Sequence, residues 1–163
     1  MRREIRLLND FIKANMVDKT NDCPPLKGVF VGRPIGIYSS NVPCVYLYPA
    51  SSNSLTTQYV GEDTVTNNIV VRIYVEAMRG PNDTADDPTP KTLELIDLTD
   101  TLIRYLRSDP TFRSRFVSTE IGNINYKVEQ SGDVNVLRYS EFNLAITSRQ
   151  QWNPDGLTDS NEN

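Results

Sequence analysis

The sequence predicts an α+β fold: a mainly antiparallel sheet of four to five strands packed against two helices, with an extended N-terminal arm. Three observations predict it. Residues 67–78 alternate, with Ile69, Val71, Ile73, Val75 and Ala77 on one side and Val70, Arg72, Tyr74 and Glu76 on the other. That is the period of a half-buried strand, with β-branched residues where strands favour them. One loop later, Leu95, Leu98, Leu102 and Leu106 make an apolar stripe at helical spacing, the natural cover for the strand's apolar face. Two further alternating runs, 117–129 and 133–148, form a hairpin about Gln130-Ser131-Gly132-Asp133, where Gly supplies a positive φ.

Residues 2–15 read as an amphipathic helix, with Ile5, Leu8 and Ile12 on one stripe, Phe11 beside them, and Arg6, Asn9 and Lys13 on the wet side. Arg2, Arg3 and Arg6 crowd its N-terminal turn, where the helix dipole disfavours cations; either solvent screens them or they meet an acidic surface. Residues 17–43 hold Pro24, Pro25, Pro34, Pro43, Gly28, Gly32 and Gly36, which exclude a helix. Leu26, Val29, Phe30, Val31, Ile35, Ile37 and Tyr38 make the same segment too apolar for a free linker. An extended arm lying on its own or a neighbour's surface satisfies both facts. Residues 42–48 form a short strand that Pro49 ends or places at an edge. After a polar turn at 51–54, residues 55–60 form a weaker strand, and Gly61 turns the chain into the central one, giving an antiparallel meander.

Arg79–Pro90 reads as an acidic surface loop. Its Asp83, Asp86 and Asp87 lack the glycine and closing glutamate of a calcium loop. Thr89-Pro90 starts a helix that Asp109-Pro110 stops. Ile96, Ile103 and Tyr105 broaden its stripe, while Asp97, Asp100 and Arg104 lie outside. Arg104, Arg107, Arg113 and Arg115 make a basic patch at its C-terminal end, where the dipole favours cations. In the return strand of the hairpin, Leu137 and Tyr139 run out of phase with Phe142, Leu144 and Ile146, which implies a bulge or a two-sided strand. Residues 150–163 are polar and aperiodic, a flexible tail with Trp152 as its one anchor.

The 163 residues fit one domain, placed at 1–149 with the arm at 17–43 and the tail at 150–163. A net charge of −4 argues against a dedicated binder of nucleic-acid backbone. No run of about 18 apolar residues predicts a membrane span. The N-terminal stretch has no apolar signal region, so secretion is unsupported. Cys23 and Cys44 either stay as two reduced thiols or pair, and their number is too small for a disulfide scaffold.

The chain has no histidine, which removes the commonest general base and zinc ligand. No glycine-rich phosphate loop, nucleophile elbow or zinc spacing is present. Asp97 and Asp100 fall on a solvated helix face. Tyr46, Tyr48, Tyr59, Tyr74 and Tyr139 fall on strand faces opposite or beside the core; without a basic stripe they read as packing against a neighbouring subunit, not as a base-stacking platform. No enzymatic activity, cofactor or metal is expected.

The order helix, arm, three strands, acidic loop, helix, hairpin and tail resembles the tail-terminator (tail-completion) proteins of long-tailed bacteriophages. The residues carrying the resemblance are the helix beginning Arg3-Glu-Ile-Arg-Leu-Leu, Cys44-Val-Tyr-Leu-Tyr-Pro, Asn68-Ile-Val-Val-Arg-Ile-Tyr-Val, the 93–106 helix, and the hairpin ending Asn143-Leu-Ala-Ile, across residues 1–149. The resemblance implies a homohexameric ring in the virion, at the tail–neck junction. The ring would cap the tail-tube protein, end its polymerisation and meet a neck stopper or connector protein. Double-stranded DNA would pass through its lumen without specific binding, and no membrane would be involved. Interface residues expected on this basis are Asp83, Asp86 and Asp87 against Arg104, Arg107, Arg113 and Arg115, with Phe30, Ile35 and Tyr38 on the arm. The rivals are another neck or tail component (stopper, adaptor or tube protein) and a single-stranded nucleic-acid binding module.

Overall fold

The elements run α1 (Arg2–Met16), β1 (Gly28–Val31), a 3-10 turn (Ser39–Asn41), β2 (Cys44–Tyr59), β3 (Glu62–Ala77), α2 (Pro90–Ser108), β4 (Ser118–Ile121), β5 (Asn125–Ser131) and β6 (Asn135–Gln151). The computed structural model describes residues 1–17, 25–59, 62–77, 90–112, 115–131 and 135–151. One six-stranded sheet has the order β1–β2–β3–β6–β4, with β5 also on β6. All its pairs are antiparallel except β1 with β2. This is the α+β arrangement that the alternation predicts, two helices on a mostly antiparallel sheet.

The strand count is six because three boundaries differ from the sequence reading. The strands expected at 42–48 and 55–60 merge into one, β2 (Cys44–Tyr59), paired with β3 as a long hairpin; the polar 51–54 stretch makes no turn and is absorbed by a register shift between Pro49 and Asn53. Pro49 sits just past Leu47, the last β2 residue paired with β1, so the strand edge there is open and a missing N–H breaks no bond to β1. The arm contributes β1. The expected 117–129 strand is broken into β4 and β5 at 122–124. There Ile121 pairs with Leu144 and Asn125 with Glu141, so one side carries an extra residue. Gly122 N donates to Asn143 O at 2.8 Å, and a Cβ at Gly122 would lie 3.3 Å from that same oxygen. The break therefore suits a residue without a side chain.

β3 and β6 pair without a shift from Glu62–Gln151 to Ala77–Val136. β6 is thus two-sided, not bulged, against β3. Phe142, Leu144 and Ile146 join Val45, Leu47, Ile69, Val71, Ile73 and Val75 on the helix-covered face. α1 lies over β1 and β2, and α2 over β3 and β6. α1 buries Ile5, Leu8, Ile12 and Met16, and leaves Arg2, Arg3 and Arg6 exposed. α2 buries Leu95, Leu98, Leu102, Ile103 and Leu106, each leucine worth about 1.5–3 kcal/mol as surface removed from water. Buried Thr99 donates to Leu95 O at 2.6 Å and shares a 2.7 Å hydrogen bond with Ser140 Oγ, tying α2 to β6. Ser148 Oγ donates to the buried Glu4 carboxylate at 3.1 Å, tying α1 to the same strand. Past α2, Phe112 (φ 49°) packs 4.8 Å from Phe11 and 5.2 Å from Phe116, closing the end between the helices.

β6 continues to Gln151, two residues into the expected tail; Trp152 and the remainder lie outside the described residues. Among the described residues no helix is long and apolar enough to cross a membrane.

Leu102→Ala removes a fully buried side chain between α2 and the sheet. It should lower the unfolding free energy by about 2–5 kcal/mol, seen as a lower urea midpoint at unchanged slope. Asp97→Ala on the outer face should shift it by less than about 0.5 kcal/mol.

Candidate functional site

The sheet's second face, away from the helices, is where the arm lies. Along the middle strands its side chains are Cys44, Tyr46 and Tyr48 from β2, Arg72 and Tyr74 from β3, and Leu137, Tyr139 and Glu141 from β6. The register sets Arg72 opposite Glu141, and Tyr74 opposite both Cys44 and Tyr139. Two arm residues, Ile37 and Val42, bury against Cys44, Tyr74, Leu137 and Tyr139 to form a second, smaller core, with Tyr46 at its margin. The tyrosines pack on one another, Tyr46 edge-on to Tyr74 at 5.8 Å and Tyr74 tilted against Tyr139 at 5.1 Å. Their expected partner, a neighbouring subunit, is thus corrected: the chain's own arm covers Tyr74 and Tyr139, and Tyr48 is buried too. Rings packed in this way offer no open platform for stacking bases. The side chain of Tyr59 lies outside the described residues.

Beside this core stands a charged network. Arg72 Nε makes a short ion-paired hydrogen bond to Glu141 Oε2, and its Nη1 donates to the Tyr74 hydroxyl at 3.2 Å. The Tyr48 hydroxyl donates to Glu141 Oε2 at 3.4 Å, and Lys127 Nζ lies 3.5 Å from Glu141 Oε1. The Arg72 guanidinium carbon is 4.9 Å from the Tyr139 ring centroid and 5.5 Å from that of Tyr48, within cation–π range. Arg33, from the arm, approaches the same Tyr48 ring at 5.9 Å. The network therefore fastens the arm beyond β1, while Ile37 and Val42 fasten its return.

Burial alone would weaken the Arg72 charge. Hydrogen bonds with Tyr74 and Glu141 outweigh it, so the guanidinium holds its proton more firmly than usual. Burial would raise the Glu141 carboxyl, but the hydrogen bond and charge of Arg72, with Lys127 behind them, pull it below the ordinary carboxylate range. Burial pushes the Tyr74 phenol up against the opposing pull of Arg72, and pushes the Cys44 thiol up to about 12. Cys44 is a free, buried thiol that stays protonated near neutrality and is a poor nucleophile. Cys23 lies outside the described residues.

Around these anchors the arm carries exposed apolar side chains. Phe30 stacks on Tyr46 at 5.1 Å yet remains 36% exposed; Tyr38 is 70% exposed and Ile35 93%. Gly32 (φ 123°) and Gly36 (φ 63°) give the left-handed turns that carry the chain out and back. Of the three expected arm residues, Ile35 and Tyr38 are thus exposed on the turn that follows β1, and Phe30 is partly exposed on β1 itself. The other expected set is not brought to them. Arg104, Arg107 and Arg115 are exposed on and after α2, which lies over the far strands on the helix-covered face. Arg113, Asp83, Asp86 and Asp87 lie outside the described residues. Asp97 and Asp100 are exposed, as the helix period predicts. With Thr101 and Arg104 they line a surface depression of about 380 Å³, where Arg104 Nη2 donates to Thr101 Oγ1 at 3.2 Å. Among the described residues no group of three or more Cys, Asp or Glu side chains is placed to hold a metal ion.

Sequence reading passed over Arg33, Arg72 and Glu141. The available signal was that Arg72 and Glu141 each hold an outward phase position in a long alternating strand; their pairing needed the register. No protein-family model matches the chain, and no curated protein matches it significantly in sequence.

Because the folded Glu141 value lies below that of the unfolded chain, its contribution to stability is complete above the ordinary carboxylate value of 4.5 and is lost as pH falls through the lowered one. Glu141→Gln should therefore be less stable than the parent near neutral pH, with the gap narrowing in acid. Urea midpoints measured across that range check it, and a gap independent of pH would show that the carboxylate charge is not what holds the network.

Proposed function

We propose that this chain is a structural component of the neck of a long-tailed bacteriophage, a tail-terminator protein that closes into a ring. The ring caps the last turn of tail-tube protein, ends its polymerisation and joins the tail to the stopper or connector of the head. The observation that carries this reading is the arm. It is built into the chain's own sheet at β1 and tied down again at Ile37 and Val42, yet Ile35 and Tyr38 stand in water and Phe30 on β1 stays partly exposed beside them in sequence. Exposed apolar residues on a fastened segment, of which Ile35 and Tyr38 take no part in its own core, are a contact surface for another protein. The order of elements, which resembles that family, supports the same reading. The proposed ring is a hexamer that lives in the virion, and its net negative charge suits a channel through which DNA slides without sticking.

Native mass at micromolar concentration, with electron microscopy in the presence of cognate tube subunits, tests it. The expected result is a closed oligomer that does not grow, found at one end of tubes whose elongation it has stopped. Long polymers of the chain alone would instead make it a tube protein, and salt-dependent retention on an oligonucleotide column would make it a nucleic-acid binder.

On the same reading, Arg104, Arg107, Arg113 and Arg115 meet Asp83, Asp86 and Asp87 of the next copy. Arg107→Glu with Arg113→Glu should then weaken ring formation most at low salt. Assembly unchanged at low and high salt removes the pairing.

A further inference from the structure

Each end of the sheet is a strand with a described partner on one side, and Val17 bridges Leu26 just ahead of β1. Among the described residues no strand pairs with the outer edge of β1, or with the outer edge of β4 and β5. Nine large apolar side chains are exposed among the described residues. Four belong to β1 and the turn that leaves it, among them Val31 and Ile35. Four belong to the opposite edge, among them Tyr126 and Val128, at 48% and 61% exposure. The alternation of Tyr126 and Val128 is that of a buried strand face, but α2 lies mainly over β3 and β6 and meets β5 at Tyr126 through Thr99 and Asp100, leaving both side chains about half exposed. An open edge bearing apolar side chains is a template for another strand.

We propose that these unlike ends are the two halves of one interface between copies of this chain: β1 and the arm turn of one copy seat along β4–β5 of the next. Strand direction supports it. β1 runs with β2, β2 against β3, β3 against β6, and β6 against β5, so β5 runs opposite to β1. Rotation about an axis along the strands preserves strand direction, so β5 of one copy meets β1 of the next as an antiparallel pair. The faces also match. Val31 pairs with Leu47, while Tyr126 and Val128 pair with Ser140 and Arg138, and all lie on the helix-covered face. In the joined sheet Val31 therefore falls beside Tyr126 or Val128. Charge agrees: residues 25–43 carry Lys27 and Arg33 and no carboxylate. Residues 117–131 carry Glu120 and Glu129, and their Lys127 already serves Glu141. An interface of unlike surfaces closes into a ring when its rotation divides a full turn.

This inference deepens the ring reading and rests on its claim of self-association. Single variants Val31→Cys, Tyr126→Cys and Val128→Cys, all at exposed positions, are made in the full chain, with the parent and its two native cysteines as control. On mild oxidation, Val31→Cys co-expressed with Tyr126→Cys or Val128→Cys should give a disulfide-linked dimer above the parent level, and no single variant should join itself. The double variant Val31→Cys/Val128→Cys or Val31→Cys/Tyr126→Cys should give a ladder of linked copies. Val128→Lys should weaken self-association about tenfold or more. Self-joining of Val128→Cys, or a closed ring with no mixed crosslink, overturns this interface, and the second result leaves the ring reading standing. Crosslinks with no capping of tubes would support the interface and remove the tail-terminator reading.

Discussion

The unbroken antiparallel pairing of β3 with β6 dictates where every other element goes. A slip of one residue along it would send Ile69, Val71 and Ile73 to the arm's side and Arg72 and Tyr74 under the helices. The cost would fall on both faces, because both are buried along the middle of the strands. The helix side would meet a guanidinium with no carboxylate opposite it. The arm side would lose the polar partners that make its tyrosines satisfiable. A ladder whose two faces demand different chemistry therefore has one register. With that register set, α2 docks through Thr99 on Ser140, α1 through Glu4 on Ser148, and the arm over Tyr74 and Tyr139.

The Arg72–Glu141 pair carries the second face because it is not fully withdrawn from water, its side chains 23% and 21% exposed. Removing two charges fully from solvent costs more than their attraction returns. Here the guanidinium keeps an open side, donates to a carboxylate on one edge and lies against two tyrosine rings. Lysine could supply the charge but not the flat surface that stacks on Tyr139 and Tyr48. The arm is held by the same means, since Arg33 uses the ring of Tyr48 that Arg72 also approaches. Charge, stacking and a small apolar core thus fasten a segment whose prolines and glycines give it no helix or long strand of its own.

Local periodicity made much of this legible. α1, α2 and the inner face of β3 are visible because 3.6-residue and two-residue repeats depend on neighbours in sequence, and the leucine stripe of α2 buries as its spacing requires. What was not legible depends on partners far along the chain. Arg72 and Glu141 are 69 residues apart and meet through register alone. The polar 51–54 stretch reads as a turn until β3 lies beside it, when the ladder carries it through as an irregularity in a long hairpin. Ile124, Tyr126 and Val128 alternate with polar neighbours in the first strand of the predicted hairpin; that this apolar side is exposed depends on how far α2 reaches across the sheet, which no local pattern states. Of the candidate site, Phe30, Ile35 and Tyr38 were legible as apolar residues in a segment unable to form a helix. The arginine that anchors their turn was not.

These exposed ends and the proposed ring constrain each other. A sheet whose sides both carry open backbone and apolar residues grows sideways, in the direction of its hydrogen bonds, and not along its strands. Sideways growth by rotation about an axis along the strands is self-limiting once it closes, because every edge is then used. The strand ends would face up and down the axis, free to meet one unlike partner on each side. A terminator needs that division of labour: self-association that saturates around the ring, and axial faces that accept the tube on one side without offering it the same surface on the other. In the same arrangement the helix-covered face and the arm face become the two walls of the ring, one toward the lumen and one outward. The Arg72–Glu141 network would then also stiffen a wall under load, because it ties β3, β6 and, through Arg33, the arm across which the next copy is held.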